Sequence, residues 1–261
     1  MTDKRVGAPM YRGVFDELHV EIYQNRQQMG TTAAKMVAQK IIELLAQQPF
    51  VNIIFAAAPS QNEFLLALIQ NEGIDWSRVN AFHMDEYTGL PLNDARTFAS
   101  FLKEKIFSRL PFHMVNYING NAADITAECE RYAAILREYP TDIVCMGIGE
   151  NGHIAFNDPP VADFNDPLPV KQVTLDAECR QQQVNDKCFD RLDEVPAHAL
   201  TLTVPTLMAG KFIYCMVPGT KKAEAIYNTL KAEITEHCPA TVLRRHANAV
   251  LFADSDSAAL L

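Results

Sequence analysis

No two cysteines in this 261-residue chain stand in a C-x-x-C spacing, and no short Cys/His set accompanies any of the six, Cys129, Cys145, Cys179, Cys188, Cys215 and Cys238. A structural zinc site therefore has no support in the sequence. The scattered thiols read as reduced, with Cys145 and Cys215 inside apolar runs as small core residues. Nothing approaches the roughly 20 consecutive apolar residues that a membrane helix needs, and no basic-then-apolar leader opens the chain, so a cytoplasmic protein is expected. Positive charge is in short supply: 23 Lys and Arg stand against 32 Asp and Glu, a formal net charge of −9. Nucleic acid and anionic membranes both need a basic face, and neither partner is expected. A small phosphorylated ligand is not excluded, because one anion needs only two or three local donors. There is no internal repeat and no low-complexity tract. What remains is an ordinary globular composition, 48% hydrophobic and 21% charged, large enough for one sizeable core and read as one domain over 1–261.

Within it, apolar strand-like runs alternate with segments of helical spacing. A helix is predicted from Thr31 or Thr32 to about 48, a buried strand at 51–58, and a capping box, Ser60-Gln61-Asn62-Glu63, that opens a helix over 64–70. Further strands are predicted at 79–84, 115–118, 142–147, 199–203, 212–217 and 249–253, with helices near 97–110, 125–139 and 221–232. Strand followed by helix, repeated, implies an open, doubly wound α/β fold whose mostly parallel sheet is covered on both faces. Residues 161–198 are more polar and read as a lid excursion over the pocket. Residues 1–30 read as an extension that wraps the domain or carries an oligomer contact.

Two segments carry chemistry. After the strand ending at Met146 comes Gly147-Ile148-Gly149-Glu150-Asn151-Gly152-His153-Ile154-Ala155-Phe156-Asn157-Asp158. Its glycines, Gly152 among them, allow positive φ and a close pass by a ligand, and His153 brings an imidazole that exchanges protons near neutrality. A tight turn with a solvated imidazole is the competing reading. The strand 79–84 runs into Asp85-Glu86-Tyr87, placing two acids at a strand's carboxyl end, where open α/β sheets bind ligands. Adjacent strand residues face opposite ways, so one of Asp85 and Glu86 should look into a pocket while the other pairs with a loop donor.

With these residues in view, the chain resembles the glucosamine-6-phosphate deaminase family, which shares its fold with 6-phosphogluconolactonases. The resemblance rests on Phe82-His83-Met84-Asp85-Glu86-Tyr87 with Gly89-Leu90-Pro91, on Asn119-Gly120-Asn121-Ala122, on the segment from Gly147 to Asn157, on Ala199-Leu200-Thr201, and on Gly219-x-x-Lys222-Ala223. It implies aldose–ketose isomerisation with deamination of a 2-amino-2-deoxyhexose 6-phosphate, with no metal or redox cofactor. Asp85 then matches the carboxylate that moves a proton between C2 and C1, and His153 the residue that assists ring opening. Asn151 stands where the best-known members have an aspartate, removing a negative charge that would favour imidazolium. Asp158 stands where they have a glutamate, shortening the reach by one methylene.

The resemblance also implies an anion clamp. Where the family carries a Gly-Gly turn, this chain has Ala57-Ala58-Pro59-Ser60-Gln61-Asn62; Ser60 and the amide of Gln61 are the candidates at a helix start, against a plain capping role for Ser60 and Glu63. Lys222 matches a phosphate-binding lysine. Arg180 is the candidate basic residue from the lid, with Lys187 as its rival and an ordinary surface arginine as the alternative. Glu86 and Gly152 complete the expected binding set, and chain length does not decide between a monomer and a homo-oligomer. Two other readings stay open: a lactonase acting on a phosphorylated sugar acid, and a non-catalytic sugar-phosphate sensor.

Overall fold

A computed structural model describes residues 7–91 and 93–261. Residues 10–30 hold more regular structure than the sequence suggested. Strands β1 (Tyr11–Phe15) and β2 (Leu18–Tyr23) form an antiparallel hairpin, and helix α1 (Arg26–Leu45) begins several residues before the expected start. Asn25 sets that start by accepting a hydrogen bond from the Gln28 amide on its side chain. The pattern was faint because β1 is an edge strand with little burial, and the first turns of α1 are polar. The described part of the segment read as an extension is therefore built into the sheet.

The chain continues through β3 (Val51–Phe55), α2 (Asn62–Leu68), β4 (Val79–His83), β5 (Asp85–Tyr87), α3 (Phe98–Leu102), β6 (Met114–Asn116), α4 (Ile125–Glu138) and β7 (Ile143–Met146). It then forms β8 (Val170–Thr174), α5 (Ala177–Asn185), β9 (His198–Leu202), α6 (Val204–Met208), β10 (Phe212–Val217), α7 (Ala223–Lys231) and β11 (Ala249–Asp254). Eight strands make one sheet in the order β1-β2-β11-β10-β7-β3-β4-β6, parallel throughout except for the β1–β2 edge. A second sheet, β5-β9-β8, is antiparallel. The segment 161–198 is thus more than an excursion: β8 pairs with β9, and α5 is a capped helix whose Asp176 accepts from the Cys179 amide.

Two apolar layers cover the main sheet. On one face α1 and α2 pack on Ile53, Phe55 and Cys145; on the other α4, α6 and α7 pack on Ile54, Val144 and Cys215. Successive residues of one strand feed opposite layers, as the period of two requires. From β3 the chain winds outward through β4 and β6, and from β7 it winds the other way through β10 and β11. The switch lies between β3 and β7, and the crevice beyond their carboxyl ends is where ligands bind in such sheets.

Gly30 lets α1 and α2 approach closely, since a Cβ there would lie 2.7 Å from the Glu63 Cβ and 2.8 Å from the Phe64 amide nitrogen. Backbone cannot yield as a flexible side chain does, so Gly30→Val is expected to destabilise the protein by about 1–3 kcal/mol, read as a lower urea midpoint. An unchanged midpoint would show that the helices part without cost.

Candidate active site

A cleft of about 410 Å³ opens at the switch point. The turns after β3, β4, β7 and β10 each supply part of its wall, and the end of α5 supplies another. Asp85, His153, Ser60 and Lys222 all line it. The junctions after β4 and β10 stand three strand spacings apart, about 14 Å at the usual separation.

Asp85 opens β5, with Met84 alone between it and the end of β4, where the chain leaves the main sheet. It is 7% exposed, and its Oδ1 has no hydrogen-bond partner among the described residues. Burial, and then the neighbouring Glu86 carboxylate, hold the Asp85 carboxyl well above the usual range. Glu86 turns away from the cleft, so its expected place among the binding residues is corrected. Its carboxylate accepts from the amides of Tyr87 at 2.9 Å, Phe98 at 3.1 Å and Ala99 at 2.8 Å, closing the start of α3. Burial pushes it up to about 7 against the pull of those three N–H groups.

His153 sits in a cage of acceptors. Its Nδ1 lies 2.8 Å from Asn151 Oδ1 and 2.9 Å from Asp158 Oδ1. The His153 amide also donates to Asn151 Oδ1, while Asn151 Nδ2 donates to Asp158 Oδ1, both at 3.0 Å. With oxygens on that side, Nδ1 carries the hydrogen and Nε2 is left with its lone pair. Asn151 thus supplies by its amide oxygen the orienting contact that a carboxylate would give. Asp158 is 1% exposed; burial opposes its ionisation, but its contacts with the His153 ring, Asn151 and the Cys179 thiol outweigh it and hold the carboxyl below the usual range. The ring itself rests on Gly149, where a Cβ would come within 2.2 Å of an imidazole carbon. Gly152 does not line the cleft: it takes φ +85°, and a Cβ there would meet Cys238 Sγ at 2.6 Å, so it shapes the loop behind the histidine.

Lys222 ends a single turn, Thr220–Lys222, after the Gly219 turn, and is 7% exposed. Burial lowers its pKa while Asp186 and Glu150 work in the opposite direction, and its ammonium makes no ion pair or side-chain hydrogen bond among the described residues. Across the cleft, Pro59–Gln61 forms a 3₁₀ turn ahead of α2. The predicted capping box is not formed: Ala58 precedes the turn in extended conformation, and Glu63 instead pairs with Arg26 at 2.7 Å. Pro59 forces this, since its fixed φ starts the turn three residues before α2. Ser60 faces the cleft, but Gln61 is buried with its amide nitrogen 3.4 and 3.3 Å from the Met146 and Met216 carbonyls, tying the ends of β7 and β10 together.

Arg180 is also displaced from its expected role. Its guanidinium donates to the Leu192 and Val195 carbonyls at 2.7 and 2.8 Å, stitching α5 to the following turn, and it does not line the cleft. Lys187 does, from a turn in which it takes φ 60°. Arg26, Thr220, Lys221 and Gln182 also line the cleft and were missed. Arg26 belonged to a helix start placed too late; Thr220 and Lys221 lay beside Lys222 in the same turn.

Both acids are costly to ionise in the folded state. A carboxyl raised on folding stabilises the protein below its ordinary range, and that contribution is lost as pH rises through the folded value, here from 4.5 to about 7 for Glu86 and upward for Asp85. Asp85→Asn removes one of them. Its melting temperature is expected to exceed that of the unaltered protein by a margin that widens with pH, read by calorimetry across this window. A margin independent of pH would contradict the assignment.

The family model described as glucosamine-6-phosphate isomerases/6-phosphogluconolactonase matches residues 24–252. A glucosamine-6-phosphate deaminase of Bacillus cereus strain G9842 is 36% identical over 224 residues, covering 86% of this chain and 84% of the relative. The corresponding enzyme of strain B4264 is 38% identical over 196 residues, covering 75% and 73%. The solved structure of a monomeric glucosamine-6-phosphate deaminase superimposes with a TM-score of 0.85 at 30% identity, over 93% of this chain and 99% of that one. A 6-phosphogluconolactonase from Thermotoga maritima shares the fold, with a TM-score of 0.73 at 19% identity over 91% and 99%. On the strength of the match across most of its length, the chain belongs to the glucosamine-6-phosphate isomerase/6-phosphogluconolactonase family.

Proposed function

We propose that this protein converts a 2-amino-2-deoxyhexose 6-phosphate, glucosamine 6-phosphate in the first instance, to the ketose 6-phosphate and ammonia. The observation that carries this reading is one cleft holding a buried carboxyl with an unpartnered oxygen, an imidazole with its Nε2 left as an acceptor, and a lysine without a counter-ion. Lys222 and Ser60 take the phosphate, with Lys187 closing on it from the end of α5. The span between the Lys222 and Asp85 junctions suits a lysine side chain followed by a hexose phosphate.

His153 opens the sugar ring. Its Nε2 takes the anomeric hydroxyl proton and returns a proton to the ring oxygen as the C1–O5 bond breaks, while Asn151 and Asp158 hold the Nδ1 side. Asp85 then takes the proton from C2 of the open chain, giving an enolamine as O1 gains a proton and the C2 ammonium gives one up; delivery of the carboxyl proton to C1 leaves an iminium at C2. Water adds to that carbon, the C–N bond breaks, and ammonia departs with a ketone left behind. Burial holds the Asp85 carboxyl well above the usual range, and the substrate's ammonium group at C2 is the opposite charge that draws it to carboxylate. A carboxylate in a dry site is also a stronger base than one in water, as abstraction of a C–H proton requires.

The reading treats 1–261 as one domain acting alone or in a homo-oligomer. Its test is release of ammonia and formation of ketose phosphate from glucosamine 6-phosphate, with the galactosamine epimer run beside it. Asp85→Asn is expected to lower kcat by about 10²–10⁴-fold with little change in KM. Lys222→Ala should act chiefly on KM. Hydrolysis of a phosphogluconolactone with no ammonia from either amino sugar would overturn the proposal in favour of the lactonase branch.

A further inference from the structure

Cys179 plays no part in the chemistry above, yet α5 brings it against the loop that carries the histidine. One donor atom each from His153, Asp158 and Cys179, a ring nitrogen, a carboxylate oxygen and Sγ, all lie within 4.8 Å of one another. All three side chains are buried, at 7%, 1% and 1% exposure. A second observation points to a ligand: Asp158 Oδ2 is buried and no N–H or O–H donor reaches it, its other oxygen being the one held by Asn151 and His153, so that the Cys179 thiol is the one further donor set against this carboxylate among the described residues. We propose that these three residues form an inhibitory binding site for a divalent cation of the Zn²⁺ class.

The donor set is the reason for the metal. Thiolate, imidazole and carboxylate together suit Zn²⁺, whereas Mg²⁺ and Ca²⁺ call for oxygen ligands. Zn²⁺ bonds of about 2.0–2.3 Å place tetrahedral ligand atoms about 3.5 Å apart, so the trio closes by up to about 1.3 Å around the ion. Three protein ligands leave the fourth position for water, and His153 borders the cleft from which the ion enters. Outer contacts are in place: Asn151 Nδ2 donates to Asp158 at 3.0 Å, and the Cys179 amide donates to Asp176 at 2.7 Å. Binding forms metal–sulfur, metal–nitrogen and metal–oxygen bonds from lone pairs on the protein; the thiol proton passes to solvent, and where Nδ1 is the ring donor its hydrogen moves to Nε2. No electron is transferred.

Two effects follow. A ligated imidazole is pulled from the hydrogen bonds that orient it for ring opening, and this part of the inference rests on the function proposed for His153. The ion also staples α5 to the loop after β7, fixing Lys187 and Gln182 at the cleft wall.

The test uses chelator-treated full-length protein titrated with Co²⁺, a spectroscopic stand-in for Zn²⁺. One equivalent per chain should produce a thiolate-to-cobalt charge-transfer band and the visible bands of tetrahedral cobalt, and Zn²⁺ should bleach both. Cys179→Ser, which preserves the packing, should abolish the charge-transfer band while the other five cysteines remain. Asn151→Ala should weaken binding by about 10–100-fold. Micromolar Zn²⁺ should suppress turnover of glucosamine 6-phosphate by the unaltered protein, reversibly with chelator, and whatever turnover Cys179→Ser retains should be indifferent to the ion. A charge-transfer band that survives in Cys179→Ser, or no thiolate band at all, overturns the site. Cys179-dependent cobalt binding in a protein that turns over no amino sugar would leave the site standing and remove the function.

Discussion

The parallel pairing of β3 with β7 is the constraint from which the rest of this molecule follows. These strands sit side by side in the sheet although α2, β4, β5, α3, β6 and α4 intervene between them in the chain. The connections that leave them wind in opposite directions, so their carboxyl ends part and a crevice opens that no side chain has to carve. Gln61 reinforces the geometry by laying its amide against carbonyls of β7 and β10. Asp85, His153 and Lys222 reach the same space because each lies just beyond a strand of one sheet.

Electrostatics gives that space its character. Desolvation raises Asp85 and lowers Lys222, so each charge is costly there without an opposite one beside it. A molecule bearing an ammonium near one end and a phosphate at the other would supply both missing counter-charges at once. The acidic pair divides its labour: Glu86 satisfies three amides and closes α3, which fixes the strand end from which Asp85 projects. The imidazole's place is settled differently, by two acceptors on one nitrogen and a bare glycine beneath the ring.

Much of this was legible in the sequence. The strand–helix alternation gave the doubly wound sheet, and the period of two separated Asp85 from Glu86 before any coordinates. Motif order brought His153, Asn151, Asp158 and Lys222 into one hypothesis. What failed was local and had physical causes. Ser60-Gln61-Asn62-Glu63 read as a capping box, but Pro59 starts a tight turn earlier and Arg26 claims Glu63. Arg180 and Lys187 compete in one polar stretch, and only the packing of α5 against the turn at 192–195 decides which reaches the cleft. Cys179 offered no signal at all, because its neighbours Asp158 and His153 lie across a loop and a strand in the chain. Spacing rules are blind to donors that tertiary folding alone brings together.

The sheet has one more property, which concerns time. β2 lies beside β11, with His19 opposite Val250, so an early segment and a late one are neighbours in the same ladder. During synthesis the hairpin waits with its inner edge unsatisfied until β11 has emerged. Long-range parallel pairing of this kind folds slowly and leaves strand edges open to wrong partners. The inner edge of the hairpin therefore stays open to wrong partners until β11 docks against it, and only the outer edge at β1 remains afterwards on that side.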